Sequence, residues 1–197
     1  MQAKLQAKCF FCRQRPDRRV WALSFISCCF EGTNFLVIFY WSETLVEAHT
    51  LDNPDDMDRI PYGVIFATFM AAMVLGALLF NAVVRRRSAR ATPHISATSS
   101  TSSLLLCVSV SLAGMCLLGT AFGSHELTLL LSFLAFEFCN GVYVPSIASQ
   151  RGLIVSDANR TSLYGLMKLP LFVFVIGSLW ATAQGMSWVG ASSEVSF

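Results

Sequence analysis

An all-α membrane protein is the fold class this sequence predicts, and three observations predict it. Of 197 residues, 54% are hydrophobic and only 13% are charged, about half the charge share of a soluble domain. Five apolar stretches follow one another, at residues 21–41, 62–84, 103–122, 127–149 and 163–183, and inside them only Glu31, Glu137 and Lys168 carry charge. At about 1.5 Å rise per residue, a helix of roughly 21 residues covers about 31 Å, the thickness of a bilayer's hydrocarbon core. One such run fits inside a soluble protein; five joined by short polar connections call for lipid. The expected organisation is a basic cytoplasmic segment (1–19), a five-span transmembrane domain (20–183) and a short tail (184–197).

The first span is preceded by Lys4, Lys8, Arg13, Arg15, Arg18 and Arg19. Its apolar run is of spanning length and no small-residue cleavage pattern follows, so it reads as a membrane helix and not as a removable signal peptide. Arg85, Arg86, Arg87 and Arg90 follow the second span, and Arg151 and Arg160 follow the fourth. The opposite side holds Arg59 among Glu47, Asp52, Asp55, Asp56 and Asp58. Basic flanks stay on the cytoplasmic side, so the N-terminus is expected in the cytoplasm and the C-terminus, after five crossings, outside. Asn159-Arg160-Thr161 has the form of a glycosylation acceptor, yet this topology keeps it cytoplasmic and unglycosylated. The polar run Ser96 to Ser103, between spans two and three, has the composition of a flexible loop.

Composition also excludes. Fourteen Lys and Arg against 12 Asp and Glu leave a net charge of +2, too little for an electrostatic nucleic-acid binder, so no nucleic acid is expected as a partner. Most of the seven cysteines lie in apolar runs, where they act as small hydrophobes and imply no disulfide framework. Cys9-Phe-Phe-Cys12 is half a zinc ligand set without a second pair, and His49, His94 and His125 are scattered, so neither metal nor other cofactor is expected. No span pairs a nucleophile with a base and no glycine loop cradles a phosphate. The chain therefore reads as a non-enzyme with no catalytic residue.

The polar groups within the spans carry the functional information, because a charge at mid-membrane costs roughly 2.5 to 3.5 kcal/mol and so faces the bundle interior, a partner or a water-filled path. Glu31 lies mid-span with Ser24, Ser27 and Asn34 at helical spacing, a polar stripe that should turn from lipid. Glu137 is followed by Asn140 and Gly141 on one face, and Pro145 removes the amide hydrogen that the Gly141 carbonyl would accept. Each carboxylate reads equally as helix-packing glue or as the lining of a path. Lys168, near the start of the fifth span and two residues before Pro170, either reaches back to the headgroups or presents a cation to an anion. Ala72/Gly76 and Gly119/Gly123 have the spacing of close helix contacts.

Five segments carry a family resemblance. Phe30-Glu-Gly-Thr-Asn-Phe35 with Pro61-Tyr-Gly-Val-Ile-Phe66, Phe136-Glu-Phe-Cys-Asn-Gly-Val-Tyr-Val-Pro-Ser146, and Asn159-Arg-Thr161 with Lys168-Leu-Pro-Leu171 resemble the C-terminal half of the molybdate-anion transporter family of the major facilitator superfamily. The resemblance runs from about Val20 to Trp180. It implies a partial C-terminal half of a twelve-helix major facilitator fold, the spans being helices seven to eleven. It also implies secondary transport of molybdate, a small oxyanion, by alternating access across the plasma membrane. The positions the resemblance carries over are Glu31, Glu137 and Lys168, the lysine attracting the oxyanion and the carboxylates fixing packing or carrying protons; with their face neighbours Asn34 and Asn140 they are the expected residues of the substrate path or helix interface. The superfamily's loop signature is only partly echoed, at Gly76 and Arg85-Arg86-Arg87, with its acidic member missing. The expected partners are the lipid bilayer, the oxyanion, and either a missing N-terminal half or a partner chain that completes the bundle. The rival reading is a stand-alone five-span partner or regulatory subunit without transport activity.

Overall fold

The computed structural model describes residues 18–52, 60–90, 95–123, 125–154 and 160–193. Their regular structure is entirely helical: α1 (Arg18–Asp52), α2 (Tyr62–Arg90), α3 (Ile95–Phe122), α4 (Glu126–Ile154) and α5 (Arg160–Ser193). Four contain segments long and apolar enough to cross a membrane, Trp21–Leu51, Tyr62–Ala89, Ser100–Phe122 and Glu126–Leu153; in α5 the corresponding apolar segment is Lys168–Thr182. Helices are what a bilayer demands, since each satisfies its own backbone hydrogen bonds where no water can. The half zinc set at Cys9 and Cys12, and Asn159 of the acceptor triplet, lie outside the described residues.

Two compact units divide the chain, residues 33–155 and residues 1–32 with 156–197. The first is organised around α4, which packs along both α2 and α3. Ala48, Phe69, Leu129 and Phe133 form a buried apolar cluster, so the last turns of α1 join α2 and α4 at one end of the unit. This contact is why α1 continues helical past Trp41 to Asp52, beyond the apolar stretch. In the second unit Gly32 of α1 lies against Leu171 and Phe174 of α5, the Phe174 ring close enough that a Cβ at Gly32 would displace it.

The polar run at 96–103 departs from expectation: it forms the first turns of α3. Thr101 and Ser102 are buried there, and Gln150 Nε2 of α4 donates to Ser102 Oγ at 2.8 Å. Hydroxyls that read as turn chemistry here hold one helix against another. Many large apolar side chains face outward, among them Phe25, Met115 and Val173, while Glu137 and Asn140 are 5% and 7% exposed. That arrangement suits side chains whose outer surroundings are hydrocarbon.

Candidate functional site

The site begins at Glu137, near the middle of α4. Asn140 stands three residues on, on the same helix face, and its Nδ2 donates to Glu137 Oε2 at 3.1 Å. The same amide group reaches Asn34 Oδ1 of α1 at 3.3 Å and Met73 Sδ of α2 at 3.9 Å. An amide nitrogen has two hydrogens, so three acceptors share two donors, and the thioether sulfur is the weakest of them. Asn140 thereby ties three helices together. A buried polar group left without a partner costs about 1 to 3 kcal/mol, so this sharing fixes the rotamers of all its members.

Two glycines bring the elements close enough for that contact. A Cβ at Gly76 of α2 would meet the Phe138 carbonyl oxygen and lie 3.1 Å from Gly141 Cα; a Cβ at Gly141 would meet the Met73 carbonyl oxygen. Both obstacles are backbone, so α2 and α4 touch chain to chain, as small residues permit in membranes. Pro145 sits inside α4 one turn later. Beside it, Ser146 Oγ donates to the Val142 carbonyl at 2.7 Å, placing an added hydrogen bond where the proline interrupts the backbone ladder.

Of the residues singled out in the sequence, Asn34, Glu137 and Asn140 come together in this way. Glu31 and Lys168 belong to the other unit. There Ser27 Oγ donates to Glu31 Oε1 at 3.0 Å, joining two members of the stripe, with Ser27 buried. Lys168 is exposed, as are its neighbours Leu169 and Pro170. Of the small-residue pairs, Ala72 and Gly76 are buried, and a Cβ at Gly119 would come 3.0 Å from Ser132 Oγ of α4.

Other polar contacts were not legible in the sequence. Met73 reads there as one more apolar residue, although it precedes Gly76 by one turn and so shares its face. His49 Nδ1 of α1 lies 2.9 Å from Glu126 Oε2 of α4; 77 residues separate them, and only folding brings them together. Cys116 of α3 and Cys139 of α4, both free thiols, lie side chain to side chain.

Chemically, the Glu137 cluster offers a carboxylate, two amides and a thioether in surroundings that exclude most water. Such a set holds a proton or hydrogen-bonds a small polar solute; it contains no cationic side chain to bind an oxyanion directly. Among the described residues no three potential ligands from His, Cys, Asp and Glu cluster to hold a metal.

Comparison with known proteins gives a consistent kinship. Residues 3–136 match a family model described as sugar transporters, 12 TM. The chain is similar to the molybdate-anion transporter of Takifugu rubripes, 28% identical over 182 residues, which cover 89% of this chain and 33% of the relative. The molybdate-anion transporter of Xenopus laevis is 29% identical over 160 residues, 79% of this chain and 31% of the relative. That of Danio rerio is 27% identical over 180 residues, again 89% and 33%. The chain thus spans about a third of the length of the curated relatives it matches. No solved structure matches.

Proposed function

Because the chain belongs to the molybdate-anion transporter family of the major facilitator superfamily, we propose that it serves secondary uptake of molybdate by alternating access across the plasma membrane. The observation that carries this reading is the hydrogen-bonded set Glu137, Asn140 and Asn34, the first two buried and the third half-buried, among largely apolar helices. Polar groups at that depth are expensive, and in transporters they mark the route of substrate or coupling ion. Lys168, exposed on α5 and followed two residues later by Pro170, attracts the oxyanion. Glu137 and Glu31 carry protons or lock helices as the cycle turns, since a carboxylate that gains a proton ceases to repel a dianion. The basic residues at 85–87, against the acidic ones at 55–58, support a cytoplasmic N-terminus.

Transporters of this kind work around a site between two halves that rock against each other. The family's twelve helices, against five among the described residues, support the inference that further helices complete the path, on the same chain or on a partner. The test is accumulation of labelled molybdate in cells expressing residues 1–197 joined behind the six N-terminal helices of a molybdate-anion transporter. Uptake above the vector control, lowered at least about tenfold by Asn140→Leu at equal surface expression, is the expected result. Absence of uptake in the unaltered fusion, or an Asn140→Leu variant that transports normally, overturns it.

A further inference from the structure

An open cavity of about 650 Å³ lies where α1 ends and α2 begins, with Trp41, Glu43, Glu47 and Tyr62 in its wall. The Trp41 ring packs against three other rings. It meets Phe69 edge-on at 5.3 Å and 80° and stacks against Phe66 at 6.5 Å and 29°. Tyr62 stands across it at 6.1 Å and 71°, so two rings make a steep corner that costs little further ordering on binding. Glu43 and Glu47 are one turn apart on the same helix face, where like charges repel. Both are exposed, and among the described residues neither forms an ion pair.

An aromatic corner beside two exposed carboxylates that, among the described residues, form no ion pair selects its ligand by chemistry. An oxyanion is repelled, which sets this cavity apart from the proposed transport path. A bare calcium ion needs six to eight oxygens, and the wall is mostly apolar. A quaternary ammonium group fits both features, because its spread charge is weakly hydrated and is attracted to the faces of Trp and Tyr as well as to carboxylates. We propose that this cavity binds a quaternary ammonium group between the Trp41–Tyr62 corner and the Glu43–Glu47 pair. Trp41 closes the first apolar stretch of the sequence and Tyr62 opens the second, the headgroup level favoured by such aromatic residues. The group is therefore supplied either by a phosphatidylcholine headgroup or by a free cation such as choline.

The test is saturation-transfer NMR of the choline N-methyl protons, with the full chain in phosphatidylglycerol nanodiscs. The expected result is saturable transfer that tetramethylammonium displaces and that the neutral isostere 3,3-dimethylbutan-1-ol does not produce. Glu43→Gln with Glu47→Gln should weaken it about tenfold, and Trp41→Leu more, with helical content and monodispersity unchanged in the first variant. Repeating the titration in phosphatidylcholine discs separates the sources: loss of the free-choline signal assigns the site to the lipid, and its persistence assigns it to the soluble cation. No saturable transfer in phosphatidylglycerol discs, equal transfer from the neutral isostere, or full binding by the double glutamine variant overturns the proposal. None of these outcomes bears on molybdate uptake.

Discussion

Replacing Gly141 by alanine adds a single methyl group, and the structure dictates what it meets. The new Cβ would run into the Met73 carbonyl oxygen and lie 3.0 Å from Met73 Cα. Backbone atoms cannot rotate away, so α2 and α4 must separate. Overpacking of this kind costs about 1 to 3 kcal/mol, and an obstacle made of main chain belongs at the upper end. Separation also lengthens the reach from Asn140 to Met73 and strains its bond to Asn34. Against this runs the ordinary benefit of alanine over glycine in a helix, about 0.5 to 1 kcal/mol. The net expectation is a loss of about 2 kcal/mol, or roughly 4 to 8 °C in melting temperature for a chain of this size. Gly114→Ala is the internal control, because nothing lies within 4 Å of a Cβ there, and its melting temperature should stay level or rise. Thermal unfolding in one detergent, followed by circular dichroism, compares the two. If Gly141→Ala melts at or above the unaltered protein, or Gly114→Ala falls as far, the α2–α4 contact is not what brings these helices together.

Three further expectations rest on single contacts. Glu137→Gln should leave stability within about 1 kcal/mol, since the new side chain still accepts from Asn140, whereas Asn140→Leu should cost about 1 to 3 kcal/mol by removing the donor that Glu137 and Asn34 share; detergent melting curves separate the two. Ser102→Leu, at a position with no exposed surface, should destabilise by about 1 to 3 kcal/mol through crowding and loss of the Gln150 contact, while Ser102→Ala should cost only about 1 kcal/mol. In a variant keeping only Cys116 and Cys139 among the cysteines, an oxidant such as diamide should couple the two thiols into a disulfide and take up their two hydrogen atoms to become its hydrazine, so the chain loses the mass of two hydrogens; a chain that keeps two alkylatable thiols refutes their proximity.

The helices were legible because lipid imposes a strict rule on the chain: backbone polar groups satisfied within each segment, charges expelled from it. Glu137 and Asn140 announced themselves by being polar three residues apart within such a segment, and the spacing of Ser27 and Glu31 anticipated their hydrogen bond. What periodicity does not contain is the axial register between helices. Asn34 and Asn140 are 106 residues apart, and no local spacing says which polar group of α1 reaches which of α4, just as none says that Gly76 and Gly141 are where α2 and α4 meet. The misread start of α3 has the same origin. Ser and Thr favour turns when water surrounds them, but Thr101 and Ser102 are enclosed by protein, where helix is the conformation that leaves no backbone group unsatisfied.

Within a bilayer, apolar side chains gain little by leaving lipid for one another, so helix association depends on close backbone contact and on polar groups that find partners. In residues 33–155 those two sources converge on α4. One edge meets α2 through Gly141 and carries Asn140, while Gln150 and Cys139 face α3. The residues that hold this unit together are therefore also those proposed to line the path of a solute or proton. A substitution at Asn140 acts on both at once, and uptake alone cannot say which it changed. Glu137→Gln separates them, because the amide preserves the hydrogen bond from Asn140 while removing the ionisable oxygen. Lost uptake with an unchanged melting curve assigns Glu137 to proton carriage; unchanged uptake leaves it as the anchor that keeps Asn140 turned toward α1.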